Sequence, residues 1–202
     1  MKKSMIISMF LVFCCIFSFA NEYKNLEYHF SFTLPDEWKE ISKTEIDEMI
    51  NQIPNNVMLS LFNIVDCFEI PEGNANPNSR LMIQYIDLSG IEMEWDTFVK
   101  SIVNADIYSI LEDTGLSPYI DNIDSNFPII DNAKKILVLF SEVYAINKQS
   151  IKIISIIHLG RSGVVQILIF LSEKEEDIGL TLLGGIIETL QFDDAHSYVD
   201  KD

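Results

Sequence analysis

Residues 135 to 171 carry three apolar segments separated by two short turn-forming stretches, and this run limits the possible folds more than any other feature of the chain. The segments are Lys135 to Ile146, Ser150 to His158 and Val164 to Leu171, with Asn147-Lys148-Gln149 and Leu159 to Gly163 between them. Each has the length of a strand and each break the length of a hairpin turn, so the spacing predicts an antiparallel meander. The second and third segments are apolar at neighbouring positions, as in Ile151, Ile153, Ile154, Ile156 and Ile157. Such a strand has no face suited to water and belongs at the centre of a sheet covered on both sides. Lys152, His158 and Arg161 interrupt the run and exclude a membrane span there.

Amphipathic segments supply the covers. From Glu94 to about Glu112, Trp95, Phe98, Val99, Ile102, Val103, Ile107, Ile110 and Leu111 recur at helical spacing, and Gly115 ends the pattern. Ser172 and Glu175 have capping-box spacing ahead of a closing helix whose stripe is Ile178, Leu182, Leu183, Ile186, Ile187 and Leu190. Gly184-Gly185 inside that helix costs about 1 kcal/mol per glycine relative to alanine, so close packing on the sheet is the expected compensation. Upstream, Tyr28, Phe30, Phe32 and Leu34 alternate as one face of a strand, Pro35 to Trp38 forms a turn, and Lys39 to Ile41 pairs back on it. Ser42 and Glu45 then open a helix that buries Ile46, Met49, Ile50 and Ile53 and stops at Pro54. Strands are predicted at about 60–70 and at Arg80 to Leu88, flanking a loop at Pro71 to Ser79. Pro118 to Pro128 reads as an irregular crossing with a short strand near Tyr119 to Ile123.

The first twenty residues match a secretory leader. Lys2 and Lys3 precede an apolar run from Met5 to Phe19, and Ser18-Phe19-Ala20 puts small residues at the cleavage positions. The run is short for a membrane anchor, which needs about 20 apolar residues. Lipid anchoring at Cys14 or Cys15 would want a small residue before the cysteine, and Phe13 precedes Cys14. Removal of Lys2 and Lys3 would take 14 basic residues to 12 against 31 acidic ones, a net charge of about −19. That sign repels nucleic-acid phosphates and anionic lipid. Cys67 would be the one cysteine left, so no intrachain disulfide would hold the fold, and its apolar setting reads as a small buried hydrophobe.

Candidate chemistries fail on spacing. Asp113-Thr114-Gly115 matches the aspartic-protease tripeptide but occurs once and follows a helical pattern. The stretch from Asp121 to Asn126 is rich in oxygen ligands, yet Phe127 and Ala133 stand where an EF-hand needs glycine and glutamate, leaving an irregular cation site or a solvated turn. His29, His158 and His196 lie far apart, and Asp193-Asp194-Ala195-His196 falls in a tail that reads as frayed. Gly160-Arg161-Ser162-Gly163 fits a hairpin turn rather than a nucleophile elbow, and no phosphate-cradling glycine loop follows a strand. No catalytic, cofactor-binding or metal-binding residue is assigned.

The stretch from Tyr28 to Trp38, ending Leu-Pro-Asp-Glu-Trp, resembles the opening of PsbP-like exported proteins, and Ile186-Ile187-Glu188-Thr189-Leu190-Gln191-Phe192 is similar to their usual close. The resemblance implies an α/β/α sandwich on an antiparallel sheet, shared with extrinsic photosystem subunits and a nuclear-import factor that binds a small GTPase. Its known members act mostly by binding proteins, and it carries over no catalytic residue. The expected organisation is a leader at 1–20, a single sandwich domain at 21–192 and an acidic flexible tail at 193–202. The expected function is that of an exported, non-catalytic binding or accessory protein of the periplasm or cell envelope. It would act through contacts with an unknown protein partner, without cofactor, nucleic acid or stable membrane insertion. A small-molecule or cation carrier with a pocket between the sheet and the 94–112 helix is the alternative, and an enzyme of unrecognised type comes third.

Overall fold

The apolar meander forms the centre of an antiparallel sheet. The computed structural model describes residues 20–52, 63–69, 79–105, 120–126, 128–145, 150–171 and 176–200. The expected leader up to residue 19, the loop at 71–78, the Asp113-Thr114-Gly115 tripeptide and the Ser172/Glu175 capping box lie outside these residues. In chain order the described elements are β1 (Ala20–Asn25), β2 (Phe30–Pro35), β3 (Lys39–Glu40), α1 (Lys43–Gln52), β4 (Asn63–Glu69), β5 (Arg80–Asp87) and α2 (Trp95–Val103). They continue as β6 (Ile120–Ser125), β7 (Ile129–Asp131), β8 (Ile136–Ala145), β9 (Ser150–Leu159), β10 (Gly163–Leu171), α3 (Glu176–Thr189) and β11 (Gln191–Phe192).

Eight strands make one antiparallel sheet in the order β3-β4-β5-β10-β9-β8-β6, with β7 also paired on β8. The doubly apolar β9 and β10 sit in its interior, as strands without a polar face must. Side chains alternate across the sheet, so two covers are needed. On one face Leu81, Ile83, Ile156, Val165, Ile167 and Ile169 pack against Leu182, Leu183 and Ile186 of α3 and Phe30 and Phe32 of β2. On the other, Leu137, Ile157, Leu159 and Val164 receive Trp95 and Phe98 of α2. Cys67 and Met82 on that same face receive Ile41, just before α1, and Ile46 within it. Each fully buried side chain of this size contributes about 1.5–3 kcal/mol of transfer free energy, so the two layers hold the fold without a covalent link. Helices thus cover both faces of an antiparallel sheet.

Several details differ from the sequence expectation. The cover on the α3 face is shared with a second sheet, β1-β2-β11, whose first strand was not foreseen because Asn21 to Asn25 is polar. The opening strand starts at Phe30 rather than near residue 27. The Asn25 side chain accepts the backbone N–H groups of Glu27 and Tyr28 at 3.1 and 2.9 Å, which bends the chain into a turn. β3 pairs with β4 and not with β2. α2 spans Trp95–Val103, where Asn104 turns its side-chain amide back onto Lys100 O at 2.8 Å, and the rest of the expected helix, 106–112, lies outside the described residues. In α3, an added Cβ on Gly184 or Gly185 would meet nothing within 4 Å, so close packing does not account for this pair. The close approach is at Gly179 instead, whose missing Cβ makes room for Leu171. Residues 193–200, read as a frayed tail, fold back onto the body of the protein.

Candidate functional site

The folded-back segment builds the site. After β11, Asp193 N–H donates to His29 O at 2.9 Å, and Asp193 O accepts from His196 N–H and Ser197 N–H at 2.8 and 3.0 Å. Arg161 N–H donates to His196 O at 2.8 Å, and Ser197 bridges to Gly160. Gly160 and Gly163 close the β9–β10 turn with a 2.8 Å bond, as the Gly-Arg-Ser-Gly stretch predicted. Glycine is required at 160, because a Cβ there would lie 2.6 Å from the Phe192 ring. The segment continues to Tyr198, whose hydroxyl accepts the Trp95 N–H at 3.0 Å. That contact caps α2, since the Glu94 side chain makes no capping bond. Lys135 closes the arrangement with an ion pair to Asp200 at 2.8 Å and its ammonium 5.4 Å from the Tyr198 ring centre.

Two features arise along this segment. At its far end, Tyr198, Val199 and Asp200 form one wall of a groove of about 970 Å³ whose other wall is Leu88 to Glu94, with Arg161 and Ser162 at its base. Ile91 and Val199 are exposed across it at 55% and 66%. With Asp200 paired to Lys135, Glu92 and Glu94 still outnumber Arg161 along the groove, so it favours a basic guest. This groove lies at the N-terminal end of α2. Beneath the described part of the helix, Trp95 and Phe98 pack against Leu137, Ile157, Leu159 and Val164.

At its near end, the segment brings Asp193 and His196 to His29 in the β1–β2 turn. One ligand-type atom from each of the three lies within 4.8 Å of the others. The His29 and His196 rings stack at 3.8 Å and 6°, and His29 Nδ1 sits 3.5 Å from an Asp193 carboxylate oxygen. Sequence reasoning separated these residues because nothing local signals that β2 and β11 are neighbours. His158, the third histidine, stays apart in the core, its ring 4.9 Å from Phe192. Burial, with Lys134 as a lesser cause, lowers its pKa to about 4.

The remaining sequence candidates take structural places. Asp121 to Ser125 is part of the edge strand β6, paired to β8, rather than a cation-binding loop or a solvated turn. Cys67 is fully buried, and desolvation pushes its thiol up to about 11, the behaviour of an inert core residue. No helix among the described residues is long and apolar enough to cross a membrane.

No protein-family model matches the chain, and no curated protein sequence matches it significantly. Solved structures do. The solution structure of cyanobacterial PsbP (CyanoP) from Synechocystis sp. PCC 6803 aligns over 87% of this chain and 94% of that one, with a TM-score of 0.57 and 10% identity. LpqN, involved in cell envelope biogenesis of Mycobacterium tuberculosis, aligns over 85% and 89% at a TM-score of 0.43 and 10% identity. PA94 from Pseudomonas aeruginosa aligns over 82% and 94% at 0.42 and 11%. The chain has the PsbP-like fold.

Proposed function

We propose that this protein is an exported, non-catalytic accessory protein of the cell envelope. Its groove between Leu88–Glu94 and Tyr198–Asp200 holds an extended, basic and apolar segment of a protein partner. The observation that carries this reading is the lining of the groove: the exposed aliphatic side chains of Ile91 and Val199 share it with the carboxylates of Glu92, Glu94 and Asp200. An extended segment with alternating apolar and basic side chains would bury Ile91 and Val199 and pair with Glu94. The leader pattern supports export, and cleavage after Ala20 would leave Asn21 to Asn25 paired on β2. The resemblance to a family that works mostly through protein contacts points the same way.

A photo-crosslinking amino acid placed at Ile91 or Val199 in the producing cell tests the proposal. Leu180, exposed at 48% on the opposite side of the sheet, is the control position. One adduct of a single defined mass is expected from both groove positions and none from Leu180. Absence of groove adducts, or the same adducts from all three positions, would contradict the reading.

A further inference from the structure

His29, Asp193 and His196 are held in place by backbone bonds that do not involve their side chains. Asp193 N–H bonds to His29 O, and His196 is fixed on both sides by Asp193 O and Arg161 N–H. Their three ligand-type atoms are therefore brought within 4.8 Å of one another by the fold, and turning the stacked imidazole rings out of parallel would aim their nitrogens at a shared ion. Around a zinc ion with bonds of about 2.0–2.2 Å, neighbouring donor atoms stand roughly 3.4 Å apart. The 3.5 Å between His29 Nδ1 and the Asp193 carboxylate already meets that spacing.

Two further observations mark the cluster as more than an ion pair. His29 has φ of 60°, a left-handed conformation that costs a non-glycine residue about 1–2 kcal/mol, and asparagine or glycine would fill the turn more cheaply. His196 Nδ1 is enclosed and has no hydrogen-bond partner, which leaves its lone pair open to an ion. Two imidazoles and one carboxylate are the donors of zinc, copper or nickel rather than of magnesium or calcium. The side chains of His29 and Asp193 are 42% and 45% exposed, so the remaining coordination positions face solvent.

The geometry points to a divalent transition-metal site formed by His29, Asp193 and His196, with three protein ligands and at least one exchangeable position. This inference stands apart from the groove reading and does not depend on it. It makes the metal a clasp between the β1–β2 turn and the C-terminal segment, because each supplies a ligand from a different end of the chain.

Zinc chloride added to untagged protein tests it, with calorimetry for stoichiometry and NMR of the three imidazole Cε1–H signals for location. One equivalent of zinc should move the His29 and His196 signals together and leave His158 in place, since His158 lies in the core. Asp193→Asn and His196→Ala should each weaken binding at least about tenfold, and excess calcium should not compete. The wild-type NMR result stands even if a variant fails to fold. No binding, movement of only one of the two signals, or several equivalents bound equally well by the variants would overturn the site and leave adventitious binding to an acidic surface.

Discussion

His158 is a polar residue buried in the core. It occupies a position on β9 whose neighbours in register are Ile136 and Val165, and its Nδ1 has no hydrogen-bond partner. Unfolded, it takes up a proton near the ordinary value of 6.5, and folded only near 4. Between those values the unfolded chain binds more protons, so stability falls as pH drops through this window and is unaffected by this group above it. The full effect amounts to about 3 kcal/mol. Urea unfolding of wild type and His158→Leu between pH 7 and pH 4 isolates it, because the carboxylates titrate in both. The wild-type curve should fall more steeply by that amount, and parallel curves would refute the assignment. At this scale the sequence is readable only where partners are close along the chain. Ser42 and Glu45 announced their capping box, and its bonds form: Ser42 N–H to the Glu45 carboxylate at 3.0 Å and Glu45 N–H to Ser42 Oγ at 3.3 Å. That bonding lowers the pKa of Glu45. His29 and His196 meet only because β2 pairs with β11, and no residue near either one encodes that.

Elements built from strong periodicity were legible, and their ends and exceptions were not. The meander and the β9–β10 turn follow from apolar spacing and paired glycines, whereas β1 is a polar strand that exists because β2 offers it an edge. Tyr23 explains how that edge is held. Its ring packs against Phe32 and Phe68, and its hydroxyl donates to Asp66. Burial and the Asp66 carboxylate together raise the pKa of Tyr23. The C-terminal end of α3 shows why composition misleads about helix ends. No basic residue lies in its last turn, yet Lys134 from the β7–β8 turn donates to Ile187 O and Glu188 O at 2.8 and 3.2 Å. The glycine pair in the same helix yields a prediction. With no neighbour for a Cβ, Gly184→Ala and Gly185→Ala should each stabilise the protein by about 0.5–1 kcal/mol, read as a raised thermal midpoint. A lowered midpoint would mean that the pair is packed after all. Gly179→Ala should lower it, because the new methyl would collide with Leu171.

For the molecule as a whole, the sheet and its two covers supply the rigid body, and the C-terminal segment turns that body into a site. Composition described this segment as acidic and therefore solvated, but its fate is decided by bonds to the β9–β10 turn, to the β1–β2 turn and to the first turn of α2. One end gathers the His-Asp-His cluster and the other walls the groove, so both functional proposals require that residues 193–200 stay docked. Native-state hydrogen exchange measures this directly, because two amides outside the segment are protected only by it. Arg161 N–H is bonded to His196 O and Trp95 N–H to the Tyr198 hydroxyl. Both amides should exchange far more slowly than in an unstructured chain, and Tyr198→Ala should release Trp95 first. Free-chain exchange at both amides in the wild-type protein would show that the segment is undocked and that neither site exists as described.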